Sequence, residues 1–108
     1  VSLQISRLKG SNRRSGKCVL SIVGELTIYT AAEAKQELLE CLTEYSDFHL
    51  RLDEVEEIDS AGFQVLALFT REARGQGKRV VGDACSAAVE DILALYRQEE
   101  LLMAVDAA

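Results

Sequence analysis

Between residues 18 and 58 the hydrophobic period of the chain switches from strand to helix and back to strand, which constrains the fold more than any other feature. The first segment, CVLSIVGELTI, is β-branched and apolar and places Cys18, Leu20 and Ile22 on one face. The second, TAAEAKQELLECLTEY, repeats Ala34, Leu38, Cys41, Leu42 and Tyr45 at helical spacing. Thr30 and Glu33 stand at its start with the spacing of a capping box, in which each side chain satisfies the other's backbone N–H. The third, DFHLRLDEVEEI, alternates Phe48, Leu50 and Leu52 against His49 and Arg51 and is expected as a single strand. Two strands joined through a helix form a crossover and pair in parallel, which sets the class as α/β.

The flanking segments extend this unit. VSLQIS alternates as a short strand and adds an antiparallel edge through a hairpin, while Gly24 marks a bulge or the end of regular pairing. SAGFQVLALFTREARGQG is a second helix, closed at Gly75 or Gly77, and KRVVGDA is a short strand. SAAVEDILALYRQEELL is a third helix with Val89, Ile92, Leu93 and Tyr96 on one face. The tail LLMAVDAA either closes the domain or frays. The order β-β-α-β-α-β-α predicts a small sandwich: a mostly parallel, four-stranded mixed sheet packed by helices. With 108 residues there is room for one core, so residues 1–108 are expected to form a single domain.

Charge narrows the function. Eighteen acidic residues against 12 basic ones give a net charge of −6, which argues against nonspecific binding of nucleic acid or an anionic membrane. The one basic cluster, Arg7, Lys9, Arg13, Arg14 and Lys17, lies among Gly, Ser and Asn and has the composition of a solvated loop. Cys18, Cys41 and Cys85 are widely spaced and form no CxxC pair, as expected of free thiols in a reducing cytoplasm. No secretory leader pattern and no membrane-length apolar run is present, so a cytoplasmic location without membrane insertion is expected.

The stretch EEIDSAGFQVL carries the chemistry. Asp59 or Ser60 can cap the second helix, and Gly62, costly in a helix, signals a close approach to the backbone. A phosphate on Ser60 would meet the free N–H groups of the helix start, yet would add about one to two negative charges beside Asp53, Glu56, Glu57 and Asp59. Such a group would repel an acidic partner or eject one packed against the loop. Phe63, Val65, Leu66, Leu68 and Phe69 spread round more than one face of the helix. That pattern fits a well-buried helix, or a docking surface in which Val65 and Phe69 continue from Ser60. The lone His49 makes no triad with Ser60, no G-x-S-x-G turn is present, and the cysteines lack clustered ligand partners. Gly75 and Gly77 precede a strand and therefore suit a helix stop rather than a phosphate loop. No enzyme activity and no metal are expected.

Three segments in series, VGELTIYTAAEAKQELL, LDEVEEIDSAGFQVL and REARGQGKRVVGDACSAAVEDILALY, resemble the STAS domain, the family of anti-sigma-factor antagonists and related regulatory modules. The resemblance runs from about Val23 to Tyr96, and Ile58-Asp59-Ser60-Ala61-Gly62 is its most specific element. It implies that Ser60 is the serine phosphorylated by a partner-switching anti-sigma kinase. The unmodified protein would bind that anti-sigma factor or kinase, phosphorylation would release it, and a phosphatase would reset it. ATP would sit on the kinase, so this chain needs no cofactor. Asp59, Ser60, Ala61, Gly62, Phe63, Thr27, Val65 and Phe69 are the expected partner-binding residues. Thr27 stands where antagonists usually carry an aspartate after Gly-Glu-Leu. That departure supports an alternative, a STAS subunit of a phospholipid-transport ABC system that binds and stabilises the ATPase without being phosphorylated.

Overall fold

The computed structural model describes residues 2–104. Five strands and three helices follow in the order β1 (Leu3–Arg7), β2 (Lys17–Leu26), α1 (Ala31–Glu44), β3 (Asp47–Leu52), β4 (Val55–Ile58), α2 (Ser60–Gly75), β5 (Arg79–Cys85) and α3 (Ala87–Leu95). The sheet runs β1-β2-β3-β5, and β4 pairs with the far end of β2. β1 and β2 form the expected antiparallel hairpin, and the remaining pairings are parallel.

The α/β class and the parallel crossover stand as expected, but the strand count is five rather than four. The segment expected as one strand from Asp47 to Ile58 breaks at Asp53 and Glu54. Phe48, Leu50 and Leu52 point inward from even positions, and the next buried residue is Val55, an odd one. A continuous strand cannot change phase in this way, because its side chains alternate with a period of two. β2 serves both pieces: Lys17–Ser21 pair with β3 and Gly24–Leu26 pair with β4, where the register shifts between Gly24 and Glu25. Gly24 carries a φ of +105°, and a Cβ there would strike the Ser2 carbonyl oxygen, so only glycine fits.

The core lies under one face of the sheet. Cys18, Leu20 and Ile22 of β2 and Phe48, Leu50 and Leu52 of β3 meet Leu38 of α1 and Leu66 and Phe69 of α2. Phe48 and Phe69 contact edge to face, with ring centroids 5.1 Å apart. Each such fully buried side chain stabilises the fold by about 1.5–3 kcal/mol relative to exposure. The opposite face is wetter and carries Ser21, His49 and Arg51. There His49 lies between Asp47 and Asp83, 3.2 Å from a carboxylate oxygen of each.

Two other expectations change. The capping box of α1 does not form: the Thr30 side chain makes no cap bond and turns back into the β2–α1 loop. The third helix stops at Leu95 rather than continuing through Leu101 and Leu102. Arg97, at a φ of 54°, takes the left-handed position of a Schellman motif, with Arg97 N–H donating to Ala94 and Gln98 N–H to Leu93. The chain then folds back, so that Leu101 and Leu102 are buried and Leu102 accepts the Gly82 N–H at 2.7 Å. The first part of the tail thus closes the domain; residues 105–108 lie outside the described residues.

Candidate functional site

Leu26 at the end of β2 and Ile58 at the end of β4 are register partners. The loops that follow them, residues 27–30 and residue 59, therefore leave the sheet side by side at the carboxyl ends of parallel strands. This is where open α/β sheets leave a crevice for ligands or partners. Asp59 ties the two loops together. One carboxylate oxygen accepts the Gly62 N–H at 3.0 Å and caps α2, and the other accepts the Ile28 N–H at 2.9 Å. These bonds, with Gly62 the stronger influence, hold the Asp59 carboxyl below its usual pKa against the opposing effect of burial.

Because Asp59 takes the capping role, Ser60 does not need to. Ser60 becomes the first residue of α2 and is exposed at the positive end of the helix. The close approach signalled by Gly62 is internal: a Cβ there would strike the Leu26 carbonyl oxygen and lie 3.0 Å from Ile58 Cγ1. The glycine lets the helix start lie directly on the end of β2.

Thr27 is buried at 7% exposure. Its N–H donates to Thr30 Oγ1 at 3.1 Å, and its own Oγ1 accepts the Tyr29 N–H at 3.3 Å. Thr30 Oγ1 in turn donates to the Glu25 carbonyl at 2.7 Å. The two threonines thus lock the loop and leave its next residues pointing outward. Ile28 is 67% exposed and Tyr29 82% exposed.

On the other side of Ser60 a shallow groove of about 650 Å³ runs towards α3, bounded by Ile58, Ser60, Ala88, Ile92, Leu95 and Tyr96. Leu95 is among its most exposed apolar residues, and Tyr96 stacks on Phe63 with ring centroids 4.6 Å apart. Glu56, Glu57 and Asp91 give the groove a negative rim.

The expected partner-binding residues therefore divide. Asp59, Ser60, the half-buried Ala61 and the closely packed Gly62 sit together at this end, with Thr27 beneath the neighbouring loop and Phe63 beneath Tyr96. Val65 and Phe69 do not join them. Both are buried in the core, so the second helix follows the well-buried alternative and the docking surface does not continue along it. Ile28, Tyr29, Leu95 and Tyr96 take their place as the apolar groups beside Ser60. Ile28 and Tyr29 are masked in the sequence by following a strand pattern, and Tyr96 by continuing a core stripe. His49 makes its contacts with Asp47 and Asp83, and no three His, Cys, Asp or Glu side chains converge as a metal site among the described residues. Nor, among those residues, is any helix long and apolar enough to cross a membrane.

A family model described as "Mlab, STAS domain" matches residues 10–103. No curated protein matches the sequence. Among solved structures, the anti-sigma factor antagonist SpoIIAA in its unphosphorylated form superposes with a TM-score of 0.73 at 15% identity, covering 99% of this chain and 89% of that one. The phosphorylated form of SpoIIAA from Bacillus gives 0.68 at 14% identity, over 99% and 92% of the two chains. An anti-sigma factor antagonist from Mycobacterium paratuberculosis gives 0.69 at 19% identity, over 93% and 84%. At these identities the structural likeness establishes a shared fold.

Proposed function

The chain belongs to the STAS family, and on that premise we propose that it is a regulatory binding module of a bacterial partner-switching pathway. It binds an anti-sigma factor with serine-kinase activity through the end of the molecule around Ser60, and phosphorylation of Ser60 releases it. The observation that carries this reading is the division of labour between two adjacent residues. Asp59 caps α2 and braces the Ile28 backbone, which leaves the Ser60 side chain exposed on a rigid helix start. Exposed Ile28, Tyr29, Leu95 and Tyr96 flank it and supply the apolar contact area a binding partner needs. A phosphate would place about two further negative charges against the Asp59, Glu56 and Glu57 carboxylates, and its hydration would part an apolar interface. The acidic rim favours a partner whose docking face is basic.

Thr27 supports a second reading. Where the antagonist pattern has an aspartate, this chain has a buried threonine whose hydroxyl and backbone are both engaged in the loop. The matching family model is, moreover, that of an Mlab STAS domain. A STAS subunit that stabilises an ABC transport ATPase would use the same face and would carry no phosphate. Incubation with an anti-sigma serine kinase of the same host and ATP, followed by mass spectrometry, separates the two. A single phosphate on Ser60 supports switching; an unmodified Ser60 together with co-purification of an ABC ATPase supports the transporter subunit.

A further inference from the structure

The groove between α3 and β4 carries more information than an exposed apolar patch, because both its lining and its rim are defined. α3 is nine residues long and apolar over more of its surface than the core consumes. Val89, Ile92 and Leu93 are buried, whereas Leu95, less than one turn beyond Ile92, is 74% exposed. Ala88, Ile92 and Leu95 stand at i, i+4 and i+7 and form one stripe, about 10 Å long at roughly 1.5 Å per residue. The half-buried Ile58 at the end of β4 and the ring of Tyr96, held by stacking on Phe63, complete the apolar lining.

Charge surrounds this lining on two sides. Asp91 lies on the α3 side, and the exposed Glu56 and Glu57 lie on the β4 side. Among the described residues no lysine or arginine lines the groove, and none of these three carboxylates has an ion-pair partner. An apolar seat between two acidic banks is complementary to a helix with an apolar stripe and cations along both edges of it. A helix can also lay its ridges against a two-turn stripe of side chains. A second copy presenting the same face would set carboxylates against carboxylates, on a chain that already carries a net charge of −6.

We propose that this groove seats a basic amphipathic helix of the partner protein, with its apolar stripe on Leu95, Ile92 and Tyr96 and its lysines or arginines against Glu56, Glu57 and Asp91. This rests on the reading of the Ser60 end as the binding face, but not on phosphorylation of Ser60. Burial of the Leu95 side chain supplies affinity, and the carboxylates on the two banks orient the helix and reject acidic ones.

The probe is a synthetic helical peptide of about 14 residues, with leucines at i, i+3, i+4 and i+7 and lysines along both edges. It is titrated into the isotope-labelled full chain and followed by amide chemical shifts. The shifts should saturate and centre on residues 56–60 and 88–96. Half-saturation should rise about tenfold in Leu95→Ser and about tenfold in the neutralised variant Glu56→Gln/Glu57→Gln/Asp91→Asn. All four side chains are exposed, so both variants keep the core intact. A scrambled peptide of the same composition and a version with glutamate for lysine should each bind at least about tenfold more weakly. These titrations contain no kinase and no phosphate, so their failure is separate from a failure of the switch. Shifts centred on another face, equal binding by the scrambled peptide, or unchanged affinity in Leu95→Ser would overturn the proposal. So would groove shifts that grow with protein concentration alone, which would assign the groove to a second copy.

Discussion

The two helix starts at the Ser60 end of the molecule look alike in sequence and behave differently. α1 and α2 each follow a strand, the two strands pair, and each helix is preceded by a residue able to cap it. Asp59 caps α2 through the Gly62 N–H, whereas Thr30 spends its hydroxyl on Glu25 and Thr27 and leaves α1 uncapped by a side chain. The difference lies in what each loop must do. A four-residue loop after β2 needs an internal bond to hold its shape, and Thr30 supplies it. A single residue links β4 to α2, so Asp59 is free to bond forward into the helix and sideways to Ile28. A capping signature therefore marks a residue with bonds to give, and its tertiary neighbours decide where they go.

The comparison can be broken most severely at Gly62. Gly62→Ala drives a methyl group into the Leu26 carbonyl and should cost about 3 kcal/mol in urea denaturation, since the obstacle is strand backbone rather than the end of a flexible side chain. Asp59→Ala removes the α2 cap and the Ile28 tether together and should cost about 2 kcal/mol. Thr30→Ala removes loop bonds only and should cost about 1 kcal/mol. A larger loss at Thr30 than at Asp59 would reverse the assignment of roles. Acid sharpens the same contrast. The folded Asp59 carboxyl is held below its ordinary value, so its stabilisation is complete above the unfolded pKa, roughly 4, and is lost as pH falls through the lowered folded value. Asp59→Asn should flatten that acid limb of the stability curve, and Thr30→Ala should leave it intact. Ser60→Ala, at an exposed hydroxyl that caps nothing, should shift stability by less than about 0.5 kcal/mol.

Much of this architecture is legible in the sequence where the signal is local. The strand–helix–strand period, the bulge at Gly24 and the junction at Asp59 and Ser60 each follow from residues a few positions apart. The break between β3 and β4 is also written there, as a change of phase between Leu52 and Val55, but two acids in an alternating run conceal it. The end of α3 is hidden for a physical reason: Arg97 takes a left-handed conformation that usually calls for glycine, and Leu101 and Leu102 continue an apparent helical stripe after the chain has turned. Val65 and Phe69 could not be assigned from α2 alone, because whether they are buried depends on what packs on each side of that helix.

The central claim is that the Ser60 side chain is held apart from the structural work of its own helix so that charge there can control binding. The direct test is capture from the native host with wild type, Ser60→Ala and Ser60→Asp as baits, measuring the serine kinase bound to each by quantitative mass spectrometry. Wild type and Ser60→Ala should capture equal amounts, and Ser60→Asp should capture about tenfold less, a difference of about 1.4 kcal/mol. Equal capture by Ser60→Ala and Ser60→Asp would contradict the claim.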